Sequence, residues 1–248
     1  MPNRLDVLRA QLERVNRRAA RPQALPPIRF GQPAIDASLP GGGLGRGCLH
    51  EIAGSGPEVE HGAAATLFAA GVLAGLDGCV LWAMDRADLF APALAGVGLH
   101  PDRVIYAEAG SPTGVLLALE DALQHRGLAG VVGELAGRFT LTASRRLQLA
   151  AAAAGVPALV LRRSAKFGDP ALAEPCAAAT RWRIGCLPGM PGTAGLQRPR
   201  WQVDLIRCRG GEAASWIMEA CDAQGRLGLP AELVHRPAAA TRARAAAA

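Results

Sequence analysis

The run from Cys48 to Leu76 constrains the fold more than any other part of the chain. Residues Cys48 to Ala53 form an apolar, strand-like run that ends in glycines at Gly54 and Gly56, and a helix of small residues is expected from Ala63 to Leu76. Strand, glycine loop and helix in that order frame a phosphate-binding loop, in which backbone N–H groups and a helix N-terminus cradle an anion. The chemistry departs from the frame. A working loop closes on Gly-Lys-Ser/Thr, so that the lysine reaches the β/γ-phosphates and the hydroxyl holds Mg²⁺. The corresponding residues here are Gly62-Ala63-Ala64, with the acids Glu58 and Glu60 inside the loop. Lys166 is the only lysine of the chain and lies far downstream, so no other glycine loop supplies a substitute.

The 248 residues suffice for one large α/β domain with appendages, and 50% hydrophobic against 19% charged residues describes a globular chain. A formal charge of +6, carried almost wholly by arginine, is compatible with an acidic partner or nucleic acid without demonstrating either. The six cysteines form no C-x-x-C pair and read as buried thiols of a reducing compartment. The histidines are scattered, and Cys48 with His50 is too sparse for zinc, so neither a metal nor a cofactor is expected. The N-terminus lacks the apolar core of a signal peptide, and the longest apolar run is too short to cross a bilayer. A cytoplasmic protein without a membrane association is the expectation.

Arg4, Leu5, Leu8, Arg9, Leu12 and Val15 open a basic segment with apolar residues at helical spacing. It reads equally as a solvated helix on the domain's edge or as a docking helix for another protein. Pro22, Pro26 and Pro27 end it, so residues 1–27 form a basic helix and a Pro-rich linker ahead of a core at 28–223. A short helix is expected within Phe30 to Pro40, followed by the turn Gly41 to Gly45. Within the core, strands at Cys79–Met84, Arg103–Ala107, Ala129–Glu134 and Val156–Leu161 alternate with helices at Ala87–Gly96, Thr113–Gln124 and Leu141–Ala154. Continuous apolar strands separated by helices predict right-handed crossovers and a doubly wound, mainly parallel sheet. Beyond Lys166 the runs Ala178–Cys186, Trp201–Cys208 and Ala213–Cys221 follow one another without helices, which predicts an antiparallel C-terminal extension. The tail 224–248 is expected to be disordered.

Several stretches in order carry a resemblance: Leu39-Pro40-Gly41-Gly42-Gly43-Leu44, then Leu49-His50-Glu51-Ile52-Ala53-Gly54, then Leu81-Trp82-Ala83-Met84-Asp85. Arg146-Leu147-Gln148-Leu149-Ala150-Ala151 leading to Leu159-Val160-Leu161-Arg162-Arg163 completes the set. Together they resemble the RecA core and look most like the ImuA family of RecA-related proteins, often grouped with SulA. The resemblance implies an α/β RecA-like fold in which Gly54, Gly56, Gly62, Ala63 and Ala64 form a degenerate nucleotide loop, with vestigial acids at Asp85 and Glu134. It also implies an adaptor in DNA-damage-induced mutagenic translesion synthesis, acting beside ImuB, RecA and an error-prone DNA polymerase, with the N-terminal segment as the candidate docking element. Without the lysine and hydroxyl the transferred phosphoryl group has no electrostatic clamp, so no efficient ATP hydrolysis is expected.

Single-stranded DNA is a further partner that the resemblance suggests. The loops corresponding to the DNA-holding loops of RecA are Gly137-Arg138-Phe139-Thr140 and Arg162 to Gly168. Arg138, Arg162, Arg163 and Lys166 are then the candidate phosphate contacts, and Phe139 or Phe167 the stacking residues; surface charges around a core phenylalanine are the alternative. Two other functions stay open from the sequence. One is an ATPase using an arginine for the missing lysine, Arg46 and Arg86 being nearest to the loop and the second-strand acid. The other is a SulA-like block of cell division.

Overall fold

The computed structural model describes residues 25–125, 127–164, 166–189 and 198–229. Eight strands make one sheet: β1 (Leu49–Gly54), β2 (Cys79–Met84), β3 (Val104–Glu108), β4 (Leu128–Ala136), β5 (Ala158–Arg163), β6 (Thr180–Leu187), β7 (Arg200–Cys208) and β8 (Ala214–Glu219). Their order is β3-β2-β4-β5-β1-β6-β7-β8. The helices are α1 (Pro33–Asp36), α2 (Glu58–Ala74), α3 (Pro92–Ala95), α4 (Pro112–Ala122) and α5 (Leu141–Ala154). No helix among the described residues is long and apolar enough to cross a membrane.

The alternation seen in the sequence builds the parallel part, with β1 between β5 and β6 and with β4 between β2 and β5. The strand expected at Ala178–Cys186 departs from the sequence reading. As β6 it runs parallel to β1, pairing Ile52 with Trp182, and only β7 and β8 are antiparallel. A parallel neighbour needs a crossover of a dozen or more residues. Residues 164–179 supply it with only a short 3₁₀ turn at Pro170–Leu172, so no helical periodicity announces it.

Each face of the sheet carries its own core. On one, the apolar helix α2 meets alternate residues of the central strands, and Phe68, Phe30 and Trp182 pack with ring centroids 5.4–5.6 Å apart. On the other, α4 and α5 cover Leu49, Val131, Val160 and Ala158. The helix starts are fixed locally: Ser111 Oγ accepts the Gly114 amide at 3.1 Å, and Thr140 Oγ1 accepts that of Ala143 at 3.2 Å. Gly155, at φ 71°, closes α5 in the left-handed conformation.

The expected helix at 87–96 shrinks to Pro92–Ala95, because the segment before it is held elsewhere by an ion pair described below. The folded unit also runs past residue 223. Leu227 is buried, and Gly228 exchanges backbone hydrogen bonds with Glu219 on β8. The remainder of the tail, from 230, lies outside the described residues, as does the N-terminal segment.

A buried ionic cluster holds the 164–179 crossover. Glu51 on β1 is fully buried and meets Arg181 at 3.0 Å, Arg183 at 3.3 Å and Arg162 at 3.6 Å, from the strands on either side. The three guanidiniums outnumber the single carboxylate. They also donate to carbonyls of Gly137, Ala171 and Leu172, which ties the crossover down, while Arg162 Nε is buried without a partner among the described residues. Burial pulls Arg162 and Arg183 below the ordinary arginine range, as expected for cations removed from water.

Candidate functional site

The strand–loop–helix junction sits at the C-terminal ends of the parallel strands, where α/β sheets bind ligands. Its loop is shorter than the sequence suggests. β1 ends at Gly54, only Ser55, Gly56 and Pro57 intervene, and α2 begins at Glu58. Gly62, Ala63 and Ala64 therefore lie in the second turn of the helix instead of closing a phosphate loop, and an acid opens the helix. Four amides of this stretch are engaged within the chain. Ser55 donates to Ile184 O at 2.9 Å, Glu58 to Ser164 O at 2.8 Å, and Glu60 and His61 to Pro57 O.

The glycines make room for side chains of the chain itself. A Cβ on Gly54 would stand 2.8 Å from His61 Cβ, and one on Gly56 would stand 2.9 Å from the His61 ring. A Cβ on Gly62 would meet Glu58 Cγ at 2.6 Å. The imidazole thus lies over the loop, its Nδ1 accepting the Cys186 amide at 3.1 Å. Glu58 lies back along the first turn, towards Arg163.

Arg163, at the end of β5, fills the mouth of the junction. Its Nη1 and Nη2 bind Asp88 at 2.8 and 2.9 Å, Nη1 binds Glu134 Oε2 at 3.0 Å, and Nε donates to Glu58. Glu134, on β4, also accepts Trp82 Nε1–H at 2.7 Å. Burial raises the Glu134 carboxyl above its ordinary range against the opposing pull of Trp82 and Arg163, whereas the Arg163 hydrogen bond lowers Asp88. Arg163 itself is held above the usual arginine value, first by Asp88. The space left between the glycines, Glu134 and Ser164 is about 20 Å³, enough for a water.

Asp85 and Glu134 part company. Glu134 belongs to this cluster, while Asp85, at the end of β2, has a buried Oδ1 without a partner among the described residues. Glu60 does not help to close the loop: its side chain is largely exposed, 3.6 Å from His61.

The chain is 43% identical over 208 residues to Protein ImuA of Caulobacter vibrioides, in each of two strains, across 80% of this chain and 85% of the relative. The chain belongs to the ImuA family. No family model matches it. Among solved structures it is similar to the RadB recombinase, with a TM-score of 0.58 and 16% identity over 82% of this chain and 99% of that one, which supports the RecA-like fold alone.

For this ImuA-family chain the fold redistributes the expected DNA contacts. Arg162 is a correction: its side chain is buried beside Glu51, with the guanidinium 5.6 Å from the centre of the Phe139 ring, and Phe139 is itself fully buried. Neither reaches a nucleic acid from there. Arg163 is engaged by three carboxylates. Arg138 is exposed, paired with Glu174 at 2.9 Å, and Lys166 and Phe167 stand on the surface. Arg4, Leu5, Leu8, Arg9, Leu12 and Val15 lie outside the described residues.

Sequence reasoning missed Asp88, His61 and the closing role of Arg163. The four-residue step from Glu58 to Gly62, a long side chain below a glycine on one helix face, is the local sign that was available.

Proposed function

We propose that this chain is a non-enzymatic, RecA-like adaptor of the ImuA/ImuB mutagenesis system, acting in DNA-damage-induced translesion synthesis beside ImuB, RecA and an error-prone polymerase. The observation that carries the non-enzymatic part is Arg163, held by Glu58, Asp88 and Glu134 where a nucleotide's phosphates would enter. A polyphosphate would have to displace that guanidinium and then face three carboxylates with no lysine in the loop. The loop amides engaged by Ile184, Ser164 and Pro57 support the same reading. Membership of the ImuA family supports the biological setting.

Two measurements test the proposal. Calorimetry of ATP with Mg²⁺ against the purified chain is expected to give no binding heat, and a turnover assay no phosphate release; saturable binding with turnover lost in Asp85→Ala would overturn the non-enzymatic part. Purification of a tagged copy from cells after DNA damage is expected to recover polymerase components or RecA. Recovery of the tubulin-like division protein in their place would favour the SulA-like alternative.

The second reading, an ATPase with an arginine for the missing lysine, gains a specific residue. Arg163 lines the same small space as Gly54, Gly56 and Gly62, and neither Arg46 nor Arg86 does. Its three acidic partners already satisfy its charge, which weighs against that use.

A further inference from the structure

We propose that the cleft beside Arg163 is a docking site, within the same molecule, for the chain's own N-terminal segment, residues 4–15. The cleft has a volume of about 280 Å³ and an apolar floor that includes Ala63, Leu67, Leu89 and Leu94. Phe90 stands on its lip, 71% exposed, and Val59, 94% exposed, projects from the adjoining first turn of α2. Two such side chains left in water beside an apolar cleft mark a surface that something covers.

Charge selects the occupant. Around the mouth stand Glu58, Asp88 and Glu134, against the basic Arg163 and the nearby Arg86. Residues 1–24 carry six arginines against Asp6 and Glu13, and Leu5, Leu8, Leu12 and Val15 recur at helical spacing. A basic segment with an apolar stripe matches an acid-rimmed apolar groove, the pairing used when amphipathic helices lie in grooves. Two other exposed apolar residues, Phe167 and Leu149, offer no such match. Phe167 adjoins Lys166, and Leu149 shares the outer face of α5 with Arg145 and Arg146, all of the segment's own sign.

The linker's length is of the order that the height of the sheet requires. Leu25, the first described residue, packs near Gly155, at the end of the sheet where β5 starts. Crossing the sheet along a six-residue strand takes about 20 Å, and residues 16–24 extended span about 30 Å. Arg163 also fixes the receiving surface in advance. Its two bonds to Asp88 hold the segment carrying Leu89 and Phe90, so little ordering is left for the docking step. This inference needs only the chain itself and stands whatever partners the chain has.

The test uses the full-length chain with the photo-crosslinking residue p-benzoylphenylalanine in place of Phe90, irradiated in dilute solution after its circular dichroism is matched to the parent. The expected adduct has the mass of one chain and maps to residues 4–15. In the Leu8→Asp/Leu12→Asp double variant it falls about tenfold. Adducts found only at twice the chain mass, adducts mapping elsewhere, no adduct, or a yield unchanged in the double variant would each overturn the proposal.

Discussion

The guanidinium of Arg163 holds the carboxylate of Asp88 through both terminal nitrogens, at 2.8 and 2.9 Å, joining the end of β5 to the segment after β2. That fork is the most specific geometry an arginine offers a carboxylate. It explains why the helix expected from Ala87 gives way to an irregular stretch before Pro92. With Glu58 and Glu134 on the same guanidinium, one cation joins three elements around the junction.

Removing that cation leaves Glu134 buried without its ion partner. Arg163→Ala is expected to lower unfolding stability by about 2–4 kcal/mol, most of it from Glu134, since Asp88 is largely solvated. Arg163→Lys restores charge without the fork and should recover only part of the loss. Urea titration of the three proteins checks the order; an Arg163→Ala chain as stable as the parent would show that the cluster holds nothing.

Rebuilding the missing phosphate residues should not restore nucleotide binding. Ala63→Lys/Ala64→Thr puts the lysine and hydroxyl in the second turn of α2, with His61, Glu58 and Arg163 still in front of them. Calorimetry with ATP is expected to give no heat for this double variant. Measurable binding would mean that the junction opens more readily than its geometry implies.

Glu51 is the most consequential single carboxylate of the fold. Glu51→Ala leaves the buried guanidiniums of Arg162, Arg181 and Arg183 without an acid, an arrangement expected to cost about 3–5 kcal/mol. Soluble yield at low temperature and the thermal midpoint read the effect. Gln in the same place keeps the shape and should be intermediate.

His50 makes stability depend on pH. It is fully buried, its Nδ1 2.8 Å from Thr180 Oγ1 and its Nε2 3.0 Å from Gly45 O, and burial pushes its pKa down to about 4 from 6.5. Gly45 O can only accept, so the neutral imidazole keeps its proton on Nε2 and Nδ1 accepts the Thr180 hydroxyl, whose oxygen also accepts Trp182 Nε1–H at 2.7 Å. The unfolded chain therefore binds a proton that the folded one refuses. The stabilisation is complete above pH 6.5 and is lost as pH falls to about 4, up to roughly 3 kcal/mol. Glu134, raised by burial, acts in the opposite direction, since its contribution is lost as pH rises. The difference between parent and His50→Gln in denaturant titrations at pH 4.5 and 7.5 removes the Glu134 effect. A difference that does not change with pH would contradict this account.

Much of the architecture was legible because it rests on short-range pattern. Apolar runs such as Cys79–Met84, closed by turns and separated by helices, admit few solutions other than a parallel sheet, and all five parallel strands from β1 to β5 lie where the pattern put them. The direction of β6 was not legible. It depends on a crossover held by Arg162, Arg181 and Arg183 against Glu51, contacts between strands more than a hundred residues apart. The loop was half legible: its missing lysine is written in the chain, but not the early start of α2, which depends on Ser164 accepting the Glu58 amide.

The sequence alone determined that this is a RecA-like α/β chain with no lysine near its first strand–glycine–helix junction, since residue type and order suffice for both statements. Only the tertiary structure decided what stands in that junction's mouth. Arg163 read as a candidate DNA contact, Glu58 as an acid inside the loop, and Asp88 carried no sign of a role, until the fold brought the ends of β5 and β4, the start of α2 and the segment after β2 together. Charge acts through distance in space, and the hundred-odd residues between Glu58 and Arg163 hide a contact that the sheet order makes inevitable.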